Sequence, residues 1–520
     1  MHWADEVAQQ LVARHPDAEI YTCASGISPS GPVHIGNFRE VITTYFVVKA
    51  LRDLGKKVRF IYSWDSYDRF RKVSSTLPTD YSKYLGMPYS EMPDPFGKEK
   101  NFETAFEKPM MKAMAEMSID AEYIFQSEQY KIGRYVEGII HALKHRKEIY
   151  DIEMSFKTQE ANNSDRENYY PLQIYCQNCG HDFTKVTGIS EDCTKVEYEC
   201  KCGHKGTLDL NKDFCVKLPW KVDWPMRWGV ENVLFEPGGR DHSSEGGSYQ
   251  VSSEISRKIF HREPPLYRMY DFINLKGQTK KISSSSGTDM TPSTILKVYQ
   301  PEILLWMFTR FLPEKGLDIA LDTDVLRTYH EFDRMYATYK SGEGDDIVNR
   351  IMELALANTD TSKYYTVDAS LIASFAPIVN FDLDLLTELF HKIGQNWTKE
   401  QIQPRFEKIK YWLENYCPEQ IIKLLPAQNS EFISTITDEE KQWIARLVTE
   451  IETKSLTPDE MQTLLYDIPK INNEPDKTRQ KRFFEVVYNL LLGKTQGPRL
   501  YLFLTAVDKK EILRLLKIQK

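Results

Sequence analysis

The stretch Ser30-Gly31-Pro32-Val33-His34-Ile35-Gly36-Asn37 decides how the first part of this chain folds. The apolar run before it, at residues 20–24, predicts a strand, and the apolar spacing of residues 38–54 predicts a helix that Gly55 ends. A second apolar run at residues 57–64 predicts another strand. Because a strand, a helix and a strand in this order form a right-handed crossover, the sequence predicts an α/β fold with a parallel sheet.

The same stretch has the composition of a phosphate-binding turn. Its glycines let the backbone approach a phosphate closely, and the positive end of the following helix dipole favours negative charge. His34 is a candidate catalytic residue, because its imidazole can donate a hydrogen bond where charge develops on an α-phosphate under attack by a carboxylate. Gly36 leaves room for an adenine or a ribose.

A second stretch, Lys280-Lys281-Ile282-Ser283-Ser284-Ser285-Ser286-Gly287, carries two lysines and four hydroxyls. It has no apolar periodicity and lies between Gly277 and Gly287, so a mobile loop is predicted. Lys281 is the better candidate to contact the β- and γ-phosphates of a nucleotide. Either stretch alone is typical of an ordinary loop or a solvated linker. Adenylate formation needs two such surfaces closing on one triphosphate, and the pair favours that chemistry.

The charge balance limits how this chain could bind nucleic acid. It has 520 residues, with 67 Lys and Arg against 75 Asp and Glu, and a net charge of -8. Any RNA contact must therefore come from local patches, such as the basic region 470–520, for which the alternative is a solvated helical surface. No apolar run is long enough to span a membrane and no signal peptide is evident, so we expect a soluble, cytoplasmic protein.

The eight cysteines indicate a metal site rather than disulfides. Cys176 and Cys179 form one tight pair and Cys200 and Cys202 another, each ahead of a glycine, and this pattern is typical of tetrahedral zinc. Nearby alternatives are Cys193, Cys215, His181 and His204. Because four sulfur ligands leave no open position for catalysis, the zinc would be structural.

The remaining patterns divide the chain around the cysteines. We predict a sheet domain whose halves, 1–95 and 217–290, are split by an insertion at 96–216 that carries the zinc ribbon. Residues 219–239 are expected to be a loop that returns to the sheet. Beyond Pro292 nearly all of the chain has helical apolar spacing, and we predict two regions there, 291–345 and 346–520.

Charged and aromatic side chains are expected where ligands bind in open α/β sheets, at the carboxyl ends of the strands. Asp65 and Asp68 follow the second predicted strand and could meet an ammonium group. Trp220 could supply an aromatic wall, while for Trp224 and Trp228 a place in the core is equally expected. The run 238–242 begins with two glycines, which suits a close backbone approach to adenosine.

Segments spread over almost the whole chain resemble the class I lysyl-tRNA synthetases. They are residues 24–31, 64–73, 219–228, 236–242, 491–494 and 497–500. The resemblance implies a class I Rossmann-type catalytic domain split by a zinc-bearing insertion, a stem-contact region at 291–345 and an α-helical anticodon-binding region at 346–520. It implies activation of L-lysine by ATP with Mg²⁺ and transfer to the 3′ end of a lysine-accepting tRNA, by an enzyme that we expect to be a monomer.

The residues and the resemblance together give the candidate site. The catalytic candidates are His34 and Lys281. The candidates for ATP are Pro32, Gly36, Asn37, Gly238, Gly239, Asp241, Ser283, Ser284 and Ser285. The candidates for lysine are Gly26, Ser28, Asp65, Asp68, Trp220 and His242, and which carboxylate meets which ammonium of lysine stays open. Three positions depart from the family pattern: Ser286 replaces a frequent second loop lysine, Ile282 a methionine and Arg240 a lysine.

Other functions compete with this interpretation. A glutamyl- or glutaminyl-type synthetase shares the nucleotide-binding stretches, but it needs a basic group for its substrate side chain. A tRNA-independent adenylating enzyme would not need the long helical region, whereas a paralogue that charges an unusual RNA would. A non-catalytic RNA-binding module built on the zinc ribbon would have no need for both His34 and Lys281.

Overall fold

The computed structural model describes residues 1–74, 77–157, 162–276, 290–472 and 474–518, without the side chain of residue 79. Within them the helices are α1 (Trp3–Arg14), α2 (Ile35–Asp53), α3 (Phe102–Glu116), α4 (Gln126–Lys131), α5 (Val136–Lys144), α6 (Arg146–Ser155), α7 (Asn163–Glu167), α8 (Trp220–Glu231), α9 (Arg240–Ser243), α10 (Ser248–Lys258), α11 (Pro292–Leu296), α12 (Pro301–Thr309), α13 (Asp324–Ser341), α14 (Asp346–Ala355), α15 (Ala369–Phe375), α16 (Leu383–Lys392), α17 (Lys399–Asn415), α18 (Ser430–Ile433), α19 (Asp438–Thr453), α20 (Pro458–Asp467), α21 (Lys477–Leu492), α22 (Leu500–Ala506) and α23 (Lys509–Leu516). The strands are β1 (Tyr21–Ile27), β2 (Val58–Trp64), β3 (Glu122–Phe125), β4 (Gln173–Ile174), β5 (Thr184–Ile189), β6 (Lys195–Cys200), β7 (Lys205–Asp209), β8 (Val216–Lys217), β9 (Val233–Gly239), β10 (Leu266–Tyr270), β11 (Ile273–Leu275) and β12 (Leu317–Ile319).

The chain forms two compact units. Unit 1 comprises Met1–Leu296, Pro301–Ile319 and Thr338–Thr359, and unit 2 comprises Lys297–Gln300, Ala320–Ala337 and Asp360–Lys520. Unit 1 contains the parallel sheet and the cysteine-bearing insertion. The described part of unit 2 is helical, as the apolar spacing of that region predicts.

The central feature of unit 1 is a five-stranded sheet in the order β10-β9-β1-β2-β3. All four pairings are parallel, and β1 pairs with β2 in the register Tyr21 to Val58. The helix α2 crosses between β1 and β2, and most of its side chains are buried. This arrangement confirms the predicted α/β fold with a parallel sheet.

The helix α2 begins three residues earlier than the apolar spacing predicts. His34 occupies its N-cap position, where Nδ1 accepts a hydrogen bond of 3.3 Å from the backbone N–H of Asn37. The first helical turn therefore consists of Ile35, Gly36 and Asn37. The glycine in this turn hides the helical periodicity from a search based on apolar residues alone.

The prediction of a loop at residues 219–239 is wrong. The structure has the helix α8 followed directly by the strand β9 in this region. Pro225 lies inside α8 and cannot donate to the carbonyl of Lys221, but the hydroxyl of Ser252 donates to that carbonyl at 3.0 Å. This replacement hydrogen bond explains how the helix continues through a proline.

The insertion has its own small core. The antiparallel strands β5, β6 and β7 form a ribbon, and the short strands β4 and β8 pair at its base. Buried Tyr198 and Leu208 of the ribbon belong to one apolar cluster with Val216 and Val222, which lead back to the sheet. The ribbon therefore shares a core with the neighbouring helices of unit 1.

Unit 2 has a buried charged centre. Arg405 is 2% exposed at its side chain, and its guanidinium donates to both carboxylate oxygens of Asp333, at 2.6 and 2.9 Å. It also donates to the side chain of Gln300 at 2.9 Å.

Among the described residues no single helix is long and apolar enough to cross a membrane. The bent pair Ala369–Val379 and Leu383–Lys392 would be long and apolar enough only if its two parts are taken together.

Candidate active site

A cavity of about 720 Å³ opens in unit 1 at the carboxyl ends of β1, β2 and β9. This is the place where open parallel sheets bind their ligands. The predicted site residues that line it are Gly26, Ser28, Asn37, Asp65, Asp68, Trp220, Gly238 and His242. The structure therefore brings together all six predicted lysine-binding residues with Asn37 and Gly238 of the predicted ATP-binding set.

Other predicted residues lie elsewhere or outside the described part of the chain. Pro32 lines a separate cavity of about 190 Å³. Among the described residues, His34, Gly36, Gly239 and Asp241 do not line the large cavity, although each is a near neighbour in sequence of a residue that does. Lys281 and the predicted ATP-binding serines, Ser283, Ser284 and Ser285, lie outside the described residues.

Neighbouring side chains leave no space for a side chain at Gly36 or at Gly238. A side chain at Gly36 would place its Cβ 2.8 Å from Nδ1 of His34, so the glycine makes room for the capping imidazole. A side chain at Gly238 would place its Cβ against the hydroxyl of Tyr267. Both contacts are far shorter than van der Waals distance, so packing alone accounts for glycine at these two positions.

Five charged side chains form a buried network beside the cavity. Lys217 Nζ lies 3.0 Å from Asp68 Oδ1 and 3.0 Å from Asp223 Oδ2. Arg227 Nη1 lies 2.7 Å from Asp65 Oδ1, and its Nε lies 3.2 Å from Asp223 Oδ2. Three carboxylates therefore face two cations, which leaves one negative charge that the network does not neutralise.

The network qualifies the roles that the sequence suggests for Asp65 and Asp68. Both line the cavity as expected, but Asp65 is already bonded to Arg227, and Asp68 accepts a hydrogen bond of 2.7 Å from the hydroxyl of Ser28 as well as pairing with Lys217. Lys217 and Arg227 are partners that no pattern in the sequence indicates. Their presence means that other carboxylates have to carry most of the charge offered to a cationic ligand.

Two further carboxylates in the cavity wall have no Lys, Arg or His nitrogen within ion-pair distance among the described residues. Glu40 accepts hydrogen bonds from the backbone N–H of Gly26 at 2.8 Å and from the hydroxyl of Tyr270 at 2.7 Å. Glu236 accepts from Nε1 of Trp228 at 2.7 Å. Burial raises the pKa of Glu40 to about 8 and the pKa of Glu236 to about 7. A positively charged ligand would reverse this effect.

Sequence reasoning missed Glu40 and Tyr270 and left Glu236 without a role. Glu40 lies on α2 only three residues after Asn37, and Glu236 is in the segment that carries the family resemblance. Their positions along the chain could have indicated them, because Glu40 lies on α2 and Glu236 on β9, and one end of each element lies at the cavity. Their importance depends on burial, which the sequence does not display.

Aromatic side chains form one wall of the cavity. The rings of Trp220 and Trp224 stack with centroids 4.8 Å apart, and Trp228 is 1% exposed beneath them. All three tryptophans and His242 line the cavity, but Trp224 and Trp228 are also buried core residues, whereas Trp220 and His242 are half-buried. Burial lowers the pKa of His242, which favours the neutral imidazole.

Some buried polar atoms of cavity-lining residues have no hydrogen-bond partner among the described residues. They include Oδ1 of Asn37, Nε1 of Trp220 and Nδ1 of His242. An unsatisfied buried polar group costs about 1–3 kcal/mol. A ligand that bonds to these atoms would recover that free energy, so they mark the wall as a binding surface.

The four predicted zinc ligands meet in the ribbon. The Sγ atoms of Cys176, Cys179, Cys200 and Cys202 all lie within 4.8 Å of one another. Two of the sulfur–sulfur distances are 3.8 and 3.7 Å. Zinc–sulfur bonds of about 2.3 Å in a regular tetrahedron require sulfur–sulfur distances of about 3.8 Å, so the cluster fits a zinc ion.

The comparison with known proteins agrees with this geometry. A family model described as "tRNA synthetases class I (K)" matches residues 1–358. The chain belongs to this family. It is therefore an aminoacyl-tRNA synthetase, a ligase of protein biosynthesis whose family uses ATP with Mg²⁺, an amino acid and tRNA.

Several relatives match over the full length. A lysine–tRNA ligase of Pyrococcus furiosus is 34% identical over 534 residues, covering 100% of both chains. A lysine–tRNA ligase of Treponema pallidum is 34% identical over 541 residues, covering 100% of this chain and 98% of that protein. A solved structure of a glutamate tRNA ligase from Elizabethkingia meningosepticum aligns with a TM-score of 0.48 at 11% identity, covering 95% of this chain and 98% of that one.

Proposed function

We propose that this chain is a lysine–tRNA ligase and that the large cavity of unit 1 is its lysine-activating site. The observation that carries the proposal is a pair of carboxylates in the cavity wall, half-buried Glu40 and buried Glu236, beside a wall of tryptophan rings. Lysine has a four-carbon stem that suits an aromatic wall and two ammonium groups that suit these carboxylates.

The same charges disfavour a glutamyl-type substrate. A glutamate side chain would meet Glu40 and Glu236, and the nearby cations Lys217 and Arg227 are already paired with aspartates. Like charges at short range in a poorly hydrated cavity repel strongly. A cationic amino acid would instead compensate the excess negative charge of the site.

The proposed roles follow from position. Glu40 and Glu236 hold the ammonium groups of lysine, and the side chain of lysine lies along Trp220 and His242 beside Gly26 and Ser28. Asp65 and Asp68 shape the site through the buried network. The ATP-binding residues are proposed to be Pro32, Gly36, Asn37, Gly238, Gly239, Asp241, Ser283, Ser284 and Ser285.

The activation step needs no general base, because the lysine carboxylate is already a nucleophile at neutral pH. It attacks the α-phosphorus of ATP, and pyrophosphate leaves. We propose that His34 donates to the α-phosphate and that Lys281 stabilises the charge of the leaving group. Mg²⁺ bound with ATP would offset the charge of the triphosphate. The 3′-terminal hydroxyl of tRNA then attacks the lysyl carbonyl and releases AMP.

The rest of the chain supports this chemistry. We propose that the four cysteines hold a structural zinc that keeps the ribbon folded. We propose that residues 291–345 contact the tRNA stem and that residues 346–520 bind the anticodon. The enzyme is proposed to act as a monomer in the cytoplasm, where aminoacyl-tRNA is consumed.

The direct test is aminoacylation of total tRNA by the purified protein, with each of the twenty amino acids labelled in turn and with ATP and Mg²⁺ present. Attachment of lysine alone supports the proposal. Attachment of glutamate or glutamine instead refutes it. Lysine-dependent adenylate formation without attachment to any tRNA indicates a paralogue with a different RNA.

A further inference from the structure

The segment that follows β2 brings cationic side chains to the open end of the cavity. We call residues 66–74 the mouth segment. Its side chains Arg69, Arg71 and Lys72 all line the cavity, and the latter two are exposed. Among the described residues Arg69 pairs with Asp182 at 3.0 Å, while neither Arg71 nor Lys72 has a carboxylate within ion-pair distance.

The mouth segment is firmly held. The backbone of Phe70 donates to Met87 O at 2.7 Å and accepts from Gly86 N at 2.9 Å, and Tyr89 N donates to Asp68 O at 3.1 Å. The ring of Phe70 is 1% exposed in a cluster of aromatic side chains. Arg71 and Lys72 therefore extend from an ordered backbone, which limits the entropy lost when they bind a ligand.

The zinc ribbon is part of this support. Asp182, three residues after Cys179, pairs with Arg69, and its backbone N–H donates to Gly86 O at 2.8 Å. A ring nitrogen of His181 lies 2.9 Å from Lys83 O. The cysteine cluster is thus connected through a few residues to the cationic end of the cavity.

The cavity wall consequently carries groups of opposite charge. Glu40 and Glu236 are acidic and are half-buried and buried, respectively, whereas Arg71 and Lys72 are basic and exposed at the mouth. We propose that Arg71 and Lys72 form a phosphate-binding site at the mouth of the cavity, which takes the phosphates of ATP or of the 3′ end of tRNA. The identity of these ligands rests on the proposed function. Arginine offers a planar fork for phosphate oxygens and lysine offers a compact charge.

The test compares Arg71→Gln, Lys72→Gln and the double variant with the wild type. Lys112→Gln, an exposed lysine of α3 that does not line the cavity, is the matched control. Binding of inorganic tripolyphosphate is measured by calorimetry and binding of tRNA by filter retention at several salt concentrations. Lysine-dependent ATP–pyrophosphate exchange without tRNA and single-turnover transfer to tRNA follow the two half-reactions.

We expect the double variant to bind one of these ligands about tenfold or more weakly. If the ligand is tRNA, the slope of log K against log salt should become less steep by about 1.4 to 1.8. Losses in tripolyphosphate binding and exchange assign the site to ATP, and losses in tRNA binding and transfer assign it to the 3′ end. If both affinities match those of Lys112→Gln, the proposal is wrong. If the wild-type protein attaches no lysine to tRNA, the proposed function is refuted. The binding measurements test the phosphate site independently of that result.

Discussion

The raised pKa values in the cavity predict that lysine binds more tightly as the pH rises from 6 to 8. The ammonium groups of lysine favour ionised carboxylates, and the ε-ammonium, with a pKa of about 10.4, stays charged over this range. With the pKa of Glu40 at about 8, roughly 1% of that group is ionised at pH 6 and half at pH 8. If only the ionised form binds lysine, the affinity should rise by about 50-fold over these two pH units.

Glu236 adds a smaller effect of the same sign. Its pKa of about 7 gives a further increase of about tenfold between pH 6 and pH 8. The stability of the free protein changes in the opposite direction. The folded state holds these protons at a pH where the unfolded chain has lost them, so the contribution of both groups to stability is lost as the pH rises through 7 and 8.

Calorimetric titration of lysine at pH 6, 7 and 8, in two buffers with different heats of ionisation, measures both the affinity and the protons released. Glu40→Gln should weaken binding at pH 8 by about 10-fold to 100-fold and flatten the pH dependence. Glu137→Gln, an exposed glutamate of α5, is the control and should behave as the wild type. A wild-type dissociation constant that varies less than twofold from pH 6 to pH 8, without proton release, would refute the reasoning.

Three further predictions follow from other features. Lys217→Met removes the cation shared by buried Asp223 and half-buried Asp68, so urea denaturation should show a loss of about 3–5 kcal/mol in the free energy of unfolding. A loss under about 1 kcal/mol would contradict the role of the network. Cys176→Ser, or treatment with a chelator, should remove zinc detected by elemental analysis and lower the melting temperature of the insertion; an unchanged melting profile with no zinc in the wild type would count against the site. His34→Ala and Lys281→Ala should lower the turnover of lysine activation far more than they raise the KM for lysine. Weaker lysine binding at unchanged turnover would exclude the proposed catalytic roles.

The parts of the fold with strong local patterns could be predicted from the sequence. The order of strand, helix and strand in residues 20–64 predicted the parallel sheet, and the paired cysteines predicted the cluster of four thiols, because both depend on spacing along the chain. The helix α8 was missed because Pro219 and Pro225 suggest a loop. Its continuity depends on a hydrogen bond from Ser252, which is distant in sequence.

The candidate site was predicted in outline but not in its charges. Asp65 and Asp68 line the cavity, yet their partners Lys217 and Arg227 come from β8 and α8, more than a hundred residues away in the chain. Pairing of this kind depends on tertiary structure, and so does the desolvation that raises the pKa of Glu40. Sequence patterns identify residues that can do chemistry, whereas the fold decides which of them are neutralised.

The strand order also constrains how the protein is made. In the sheet β1 lies between β2 and β9, but β9 follows β1 in the chain only after the whole insertion. At a synthesis rate of about 5–20 residues per second, the ribosome delivers β9 roughly 10 to 40 s after β1. One edge of the central strand is therefore open during that interval, and the cysteine ribbon is complete before the sheet can close. Nascent chains deprived of zinc should for this reason be more prone to aggregation than the finished protein.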